Sequence, residues 1–433
     1  VKSDLVCATL VIVALSLTAL GCADLSQESE RLTQDFESQV EIDADDIGGV
    51  VTSANGPEAG VWVIAETADL PTRFIRIVAT DDAGRYVLPD LPDATYDIWV
   101  RGYGLMDSAR VQATPGQMLD LDGILAPDAL AAAAVYPAAW WLSMMELPEG
   151  EHSQQRLGSS VTSCLDCHQI GNKATREIPG DILNESDSHL DAWDRRVAMG
   201  PMAAAMNGMF QRLGPQREMF ADWTDRIAAG EAPSQVPPRP SGIERNIVVT
   251  LWDWGTETDG RTDSTPSDVR DATVNAHGLV YGVVQPSDLL TVLDPVGHRA
   301  TMITIPSNAP PILTDTPTSP YYGDDPIWAR RSDPRSVAMD GSGRVWLTGR
   351  IRGADEQPSF CTDDSNSFAN YFPLERGRRQ AFMYDPETET FSEIDTCFSA
   401  DHNQLGEDER FYYGFRDGVG WIDTEMWDES QDS

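Results

Sequence analysis

Cys164 and Cys167 stand three residues apart, and His168 follows directly. On one helical turn both thiols can reach the two vinyl groups of a haem, and the next histidine can sit beneath the iron as its proximal ligand. A redox dithiol and half of a zinc site are the competing chemistries. Zinc would ask for a second CxxC, and the sequence has none. With 6 Cys and 6 His in 433 residues, chance sets such a triplet in roughly one sequence in a thousand. The spacing predicts one haem c, bonded to Cys164 and Cys167, with His168 on the iron. Lys173 and Arg176 follow closely. Lys2 and Lys173 are the only lysines in the chain, so Lys173 and Arg176 are expected to pair with the haem propionates; an exposed helix end is the alternative.

The elements that must hold this motif span 127–235. Residues 189–199 alternate as an amphipathic helix, and 216–229 as a second one with Phe220, Trp223 and Ile227 on one face. A CxxCH helix first and an aromatic-packed helix last resembles the cytochrome c family. The resemblance implies a small helical haem domain with an axial thioether well downstream of the motif. Met199, Met202, Met206 and Met209 recur there at helical steps, and Met219 follows. Such a stripe also suits core packing. Met206 is the expected distal ligand, with Met202, Met209 and His189 as alternatives. An open sixth position would instead suit ligand sensing or peroxide chemistry.

Residues 47–126 read as short strands of period two separated by turns, the pattern of a β-sandwich. The Gly49-Val50-Val51 opening, Gly60-Val61-Trp62-Val63 and the run Thr80-Asp81-Asp82-Ala83-Gly84-Arg85-Tyr86-Val87-Leu88-Pro89-Asp90-Leu91-Pro92 resemble the carboxypeptidase regulatory-like, or transthyretin-like, domain family. That implies a seven-stranded accessory sandwich without peptidase activity. Trp62, Trp99 and Tyr103 either bind sugar or a surface, or pack in its core.

A proline-rich linker, 233–241, leads into strand-and-turn texture. Thr273–Gly282 with Thr291–Pro295, and Ser336–Leu347 with Ala381–Thr388, form two similar units, and 407–423 a degraded third. They resemble β-propeller blades of the streptogramin lyase (virginiamycin B lyase) type. The resemblance does not carry the lyase activity, since no matching His/Glu set is found; a haem-linked lyase or dehydrogenase with its active site in further blades is the alternative to electron transfer. Asp294, Asp340 and Asp385 are expected to build turns, and His277, His298 and His402 to be structural. The loop carrying Asp324 and Asp325, with Arg330 and Arg331 after it, could face a ligand or the haem domain. Two to three blades are fewer than the four to eight that usually close a propeller, so the expectation is a shortened copy or a fragment of a longer protein.

Acidic residues number 70 against 31 basic ones, a formal charge of −39. This excludes nucleic acid as a partner and favours a redox partner with a basic surface. Residues 5–20 are apolar, follow Lys2 and precede Gly21-Cys22, as in a secretion signal. The ending resembles a bacterial lipoprotein cleavage site, which implies lipidation at Cys22; a plain cleaved signal and an uncleaved anchor are the alternatives. The expected location is periplasmic or extracellular, with membrane attachment only through that lipid. An oxidising compartment would pair the leftover Cys361 and Cys397. The predicted architecture is multidomain and mainly β: leader 1–22, acidic tether 23–46, N-terminal β-sandwich 47–126, small α-helical haem c domain 127–235 and incomplete β-propeller 236–433.

Overall fold

The computed structural model describes residues 40–147, 161–162, 164–165, 168–200, 202–255, 260, 263–312, 331–353, 355–363, 365, 377–415 and 418–430. The leader with Cys7 and Cys22, Cys167, and the loop with Asp324, Asp325 and Arg330 lie outside them. The chain is mainly β, and no described helix is long and apolar enough to cross a membrane.

Alternation in the N-terminal strands sorts side chains between two faces. Strand β1 (Ile47–Ser53) pairs antiparallel with β4 (Arg85–Leu88) in one sheet. The other sheet holds β2 (Trp62–Thr67), β3 (Phe74–Ala79), β5 (Tyr96–Arg101) and β6 (Val111–Ala113). Both sheets contribute to one core, in which Val51, Val63, Phe74, Leu88 and Ile98 are buried. Trp62 and Trp99 are not part of it. Register sets Ile64 opposite Trp99 and Trp62 opposite Arg101, on the outer face of the second sheet, where the Arg110 guanidinium lies 4.0 Å from the Trp99 ring.

The second sheet is completed from far away in sequence. Strand β7 (Val249–Trp252) pairs antiparallel with β3, Leu251 opposite Ile75. The boundary expected at 236 therefore differs: 249–252 belongs to the N-terminal sheet, because a strand pattern names a strand and not its partner. Just upstream, Arg239 Nη1 meets the buried Glu58 carboxylate at 2.6 Å and the Ala59 carbonyl at 3.1 Å, while its Nε donates to the Tyr103 carbonyl. The helices between 129 and 228 are thus held at both ends by one sheet.

Among the described residues, three antiparallel sheets follow. The first comprises β8 (Asp263–Thr265), β9 (Val280–Val284), β10 (Leu289–Asp294) and β11 (Arg299–Thr304). The second comprises β12 (Arg335–Met339), β13 (Val345–Gly349), β14 (Gln380–Asp385) and β15 (Thr390–Ile394). The third comprises β16 (His402–Leu405), β17 (Arg410–Phe415) and β18 (Gly418–Asp423). Each is a meander in chain order. Tyr281, Val283, Leu347 and Phe382 pack between the first and second; Trp346 stacks on Phe411 at 4.8 Å between the second and third. The leading strands are laced by side chains. Asp263 accepts from the Ser336 N–H at 2.9 Å, and Ser336 Oγ accepts from the Asn403 N–H at 2.8 Å. Ser336 has φ +48°, at a register shift between Arg335 and Val337. The bulge turns its N–H toward the preceding sheet.

Two hairpins use the same turn chemistry on either side of the helices. Asp81 accepts from the Ala83 and Arg85 N–H groups and from Arg85 Nε, with Gly84 at φ +74°. Asp340 does the same for Ser342 and Arg344, with Gly343 at φ +80°, and also accepts from Trp346 Nε1. Asp294 and Asp385 likewise accept from turn N–H groups, as expected for turn builders. Cys361 and Cys397 form the expected disulfide, Cα atoms 5.2 Å apart.

The first sheet meets β7 through His298, which stacks on Trp252 and accepts from its Nε1 at 3.2 Å. Burial, then the Arg76 cation, push the His298 pKa below its ordinary value of 6.5; Asp294 opposes them. The folded state favours the neutral ring, so this contribution is complete above about pH 6.5 and is lost as pH falls through that value toward the lower folded pKa. Denaturation midpoints should fall between pH 7.5 and 5.5, and His298→Phe should flatten that slope; an unchanged slope would refute the assignment. Arg239→Met leaves Glu58 buried without its cation, and urea unfolding should show a loss of about 3 kcal/mol.

Candidate haem-attachment site

The helical module is built on aromatic residues at helical spacing. Helices α1 (Ala138–Leu142), α2 (Lys173–Arg176), α3 (His189–Val197), α4 (Ala203–Arg212) and α5 (Glu218–Ala228) surround one cluster. Ser188 caps α3 by accepting from the Asp191 N–H. The Trp193 ring lies 5.8 Å from Phe210 and 5.1 Å from Phe220. Trp223 is fully buried and donates to the Trp141 carbonyl at 2.8 Å. The two sequence-predicted helices are α3 and α5, with Phe220 and Trp223 on the buried face.

The cysteine motif lies at the rim of this cluster. Cys164 and Leu165 are helical, and the His168 N–H donates to the Cys164 carbonyl at 3.0 Å, a contact with the spacing of one helical turn. Cys164 is half-buried against the cluster; Leu165 and His168 are exposed. Cys167 lies outside the described residues. His168 is exposed as a residue, yet atoms crowding its ring desolvate it. This, then the Arg196 cation, holds its pKa below the ordinary value and favours the neutral imidazole, the form that ligates metal.

Among the methionines, Met145 and Met219 are buried members of the cluster that Cys164 packs against, and Met144, Met199 and Met206 pack partly buried against it. Met202 is exposed at the start of α4, and Met209 is half-buried. The structure thus brings Cys164, Met199 and Met206 to one cluster. His189 opens α3; its Nδ1 is buried without a partner, and its Nε2 lies 3.5 Å from Asp225.

The two cations after the motif have different surroundings. Lys173 is exposed, 4.0 Å from Glu177, and can meet an anion from solvent. Arg176 is buried: its guanidinium lies 4.0 Å from the Trp141 ring, and its Nη1 donates to the Gly171 carbonyl at 3.0 Å. Gly171 has φ +105°, and a Cβ there would stand 2.0 Å from the Ala138 carbonyl oxygen. Arg176 therefore clamps the chain after the motif onto α1. Sequence reasoning missed Arg196, which is the cation that acts on His168 and donates to the Glu177 carbonyl at 3.1 Å. Its only sequence signal is its place on the polar side of α3, three residues after Trp193.

The donor set suits haem c: a half-buried thiol and a neutral-favoured imidazole one turn apart, with thioethers on the same apolar cluster. Arg176→Gln should loosen the clamp and cost about 1–2 kcal/mol of stability in urea titrations, with Lys173→Gln within a few tenths; equal effects would contradict the clamp. No family model and no curated protein matches this chain.

Proposed function

We propose that the chain is an exported electron-transfer protein that carries one haem c. The observation that carries this reading is the Cys164-Leu165-Asp166-Cys167-His168 motif at the rim of an aromatic cluster that also seats Met199 and Met206. Cys164 and Cys167 would hold the group covalently, His168 would be its proximal ligand, and Met206 its distal one. Bound there, haem supplies one-electron exchange between ferric and ferrous iron. The residues do the rest. The cluster around Trp193, Phe210 and Phe220 excludes water. Burial of the His168 ring, then the Arg196 cation, favours the neutral imidazole, and Arg196 adds positive charge beside the site. Lys173 is exposed and could meet a propionate, whereas the buried position of Arg176 supports a clamp more than a propionate partner.

The N-terminal pair of sheets serves in this reading as a carboxypeptidase regulatory-like sandwich that spaces the haem module from its anchorage. The three C-terminal sheets serve as propeller blades that dock a partner or substrate. Meander order and face-to-face stacking support the blade reading. The net charge of −39 favours a redox partner with a basic surface.

Expression with periplasmic haem maturation tests the proposal. The purified protein should show one covalent haem per chain by mass and a c-type band on reduction; Cys164→Ser should retain at most a single thioether link. Met206→Ala should lower the midpoint potential by on the order of 0.1 V, while Met199→Ala should leave it nearly unchanged. Matured protein without covalent haem would end the proposal, and the reverse pattern of the two methionines would move the distal ligand to Met199.

A further inference from the structure

Strand β7 forms one edge of the second N-terminal sheet. The Asp253 N–H donates to the Arg73 carbonyl, so in an antiparallel ladder Leu251 and Val249 are the residues bonded to β3, and the backbone groups of Thr250 and Trp252 point outward. The side chains of Val249 and Leu251 are 38% and 46% exposed, and Ile247 and Val248 before them are 56% and 43% exposed. Natural edge strands are blunted by lysine, proline or a bulge. The run Ile247-Val248-Val249-Thr250-Leu251-Trp252 has none of these and no charge.

We propose that the chain self-associates through this edge, two copies pairing β7 antiparallel across a twofold axis to form one continuous sheet. The occupant is a second copy because the charges that flank the run complement one another across a twofold axis. At −39, two copies repel one another over most of their surfaces, and an uncharged strip is where they can approach. Arg245 precedes the run and Asp253 follows it, so a twofold, antiparallel pairing turns each copy's basic end toward the other's acidic end. Within one copy Arg245 already reaches Asp82, and Asp253 reaches Arg73; pairing extends both into shared networks. Val249 and Leu251 lie in register with the half-buried Ile77 and Ile75, which widens the apolar strip beside the junction.

Sedimentation equilibrium of the full chain at micromolar concentration decides the matter. The expected result is twice the monomer mass. Thr250→Pro removes an outward N–H that β3 does not use, and Leu251→Lys puts a charge on the exposed face; both should shift the protein to monomer with native circular dichroism. Should Thr250→Pro lose that spectrum, Leu251→Lys decides alone. A wild-type monomer at every concentration overturns the proposal. So does a dimer that survives Leu251→Lys, including one that is lost instead on Trp421→Glu, which would place the junction on the third C-terminal sheet.

Discussion

The return of the chain to its first module is the constraint on which the rest depends. Residues 249–252 complete a sheet whose other strands lie between 62 and 113. Everything between becomes an insertion whose two ends are fixed. Arg239 on the buried Glu58 secures the exit. The chain after the CxxCH motif is secured in turn by Gly171 against Ala138 and by Arg176 over Trp141. A helical module of modest length is built from short helices around one cluster, and clamped ends reduce the conformational entropy it must lose on folding.

The C-terminal sheets solve a different problem. A single meander cannot bury both of its faces, so each sheet relies on the next. Trp346 shows how local and nonlocal demands meet at one side chain. Its ring stacks on Phe411 of the third sheet, while its Nε1 donates to Asp340 in its own hairpin. The leading strands add a polar seam, in which the left-handed Ser336 reaches both Asp263 and Asn403. The recurrence of the Asp-x-x-Gly-Arg turn at Asp81 and Asp340 also qualifies the repeat signal. That turn marks a tight hairpin in either kind of sheet, so the turn by itself does not identify a blade.

Much of this was readable in advance, for identifiable reasons. Helices α3 and α5 follow from apolar spacing, which is a local property. The aspartates of the hairpins act within two to six residues of themselves, so their roles were visible too. The disulfide followed from cysteine count and the expected compartment. The outward placement of Trp62 and Trp99 was not readable, because both faces of β2 carry apolar residues and alternation alone does not say which face meets the other sheet. Arg176 and Arg196 were equally opaque: each is a cation on a short helix, and only packing makes one a clamp over Trp141 and the other the neighbour of His168.

The sequence by itself determined the chemistry that could occur and the local elements: a CxxCH motif, strands of period two, hairpin turns and two amphipathic helices. These depend on residue type and near-neighbour spacing, which the chain carries in full. Tertiary structure alone decided which strand completes which sheet, which methionines share a cluster with Cys164, and which cation adds to burial in favouring neutral His168. Those outcomes turn on contacts between residues tens to nearly two hundred positions apart, as in β3 with β7, and such contacts are chosen by the packing of whole modules rather than by the pattern of any one segment.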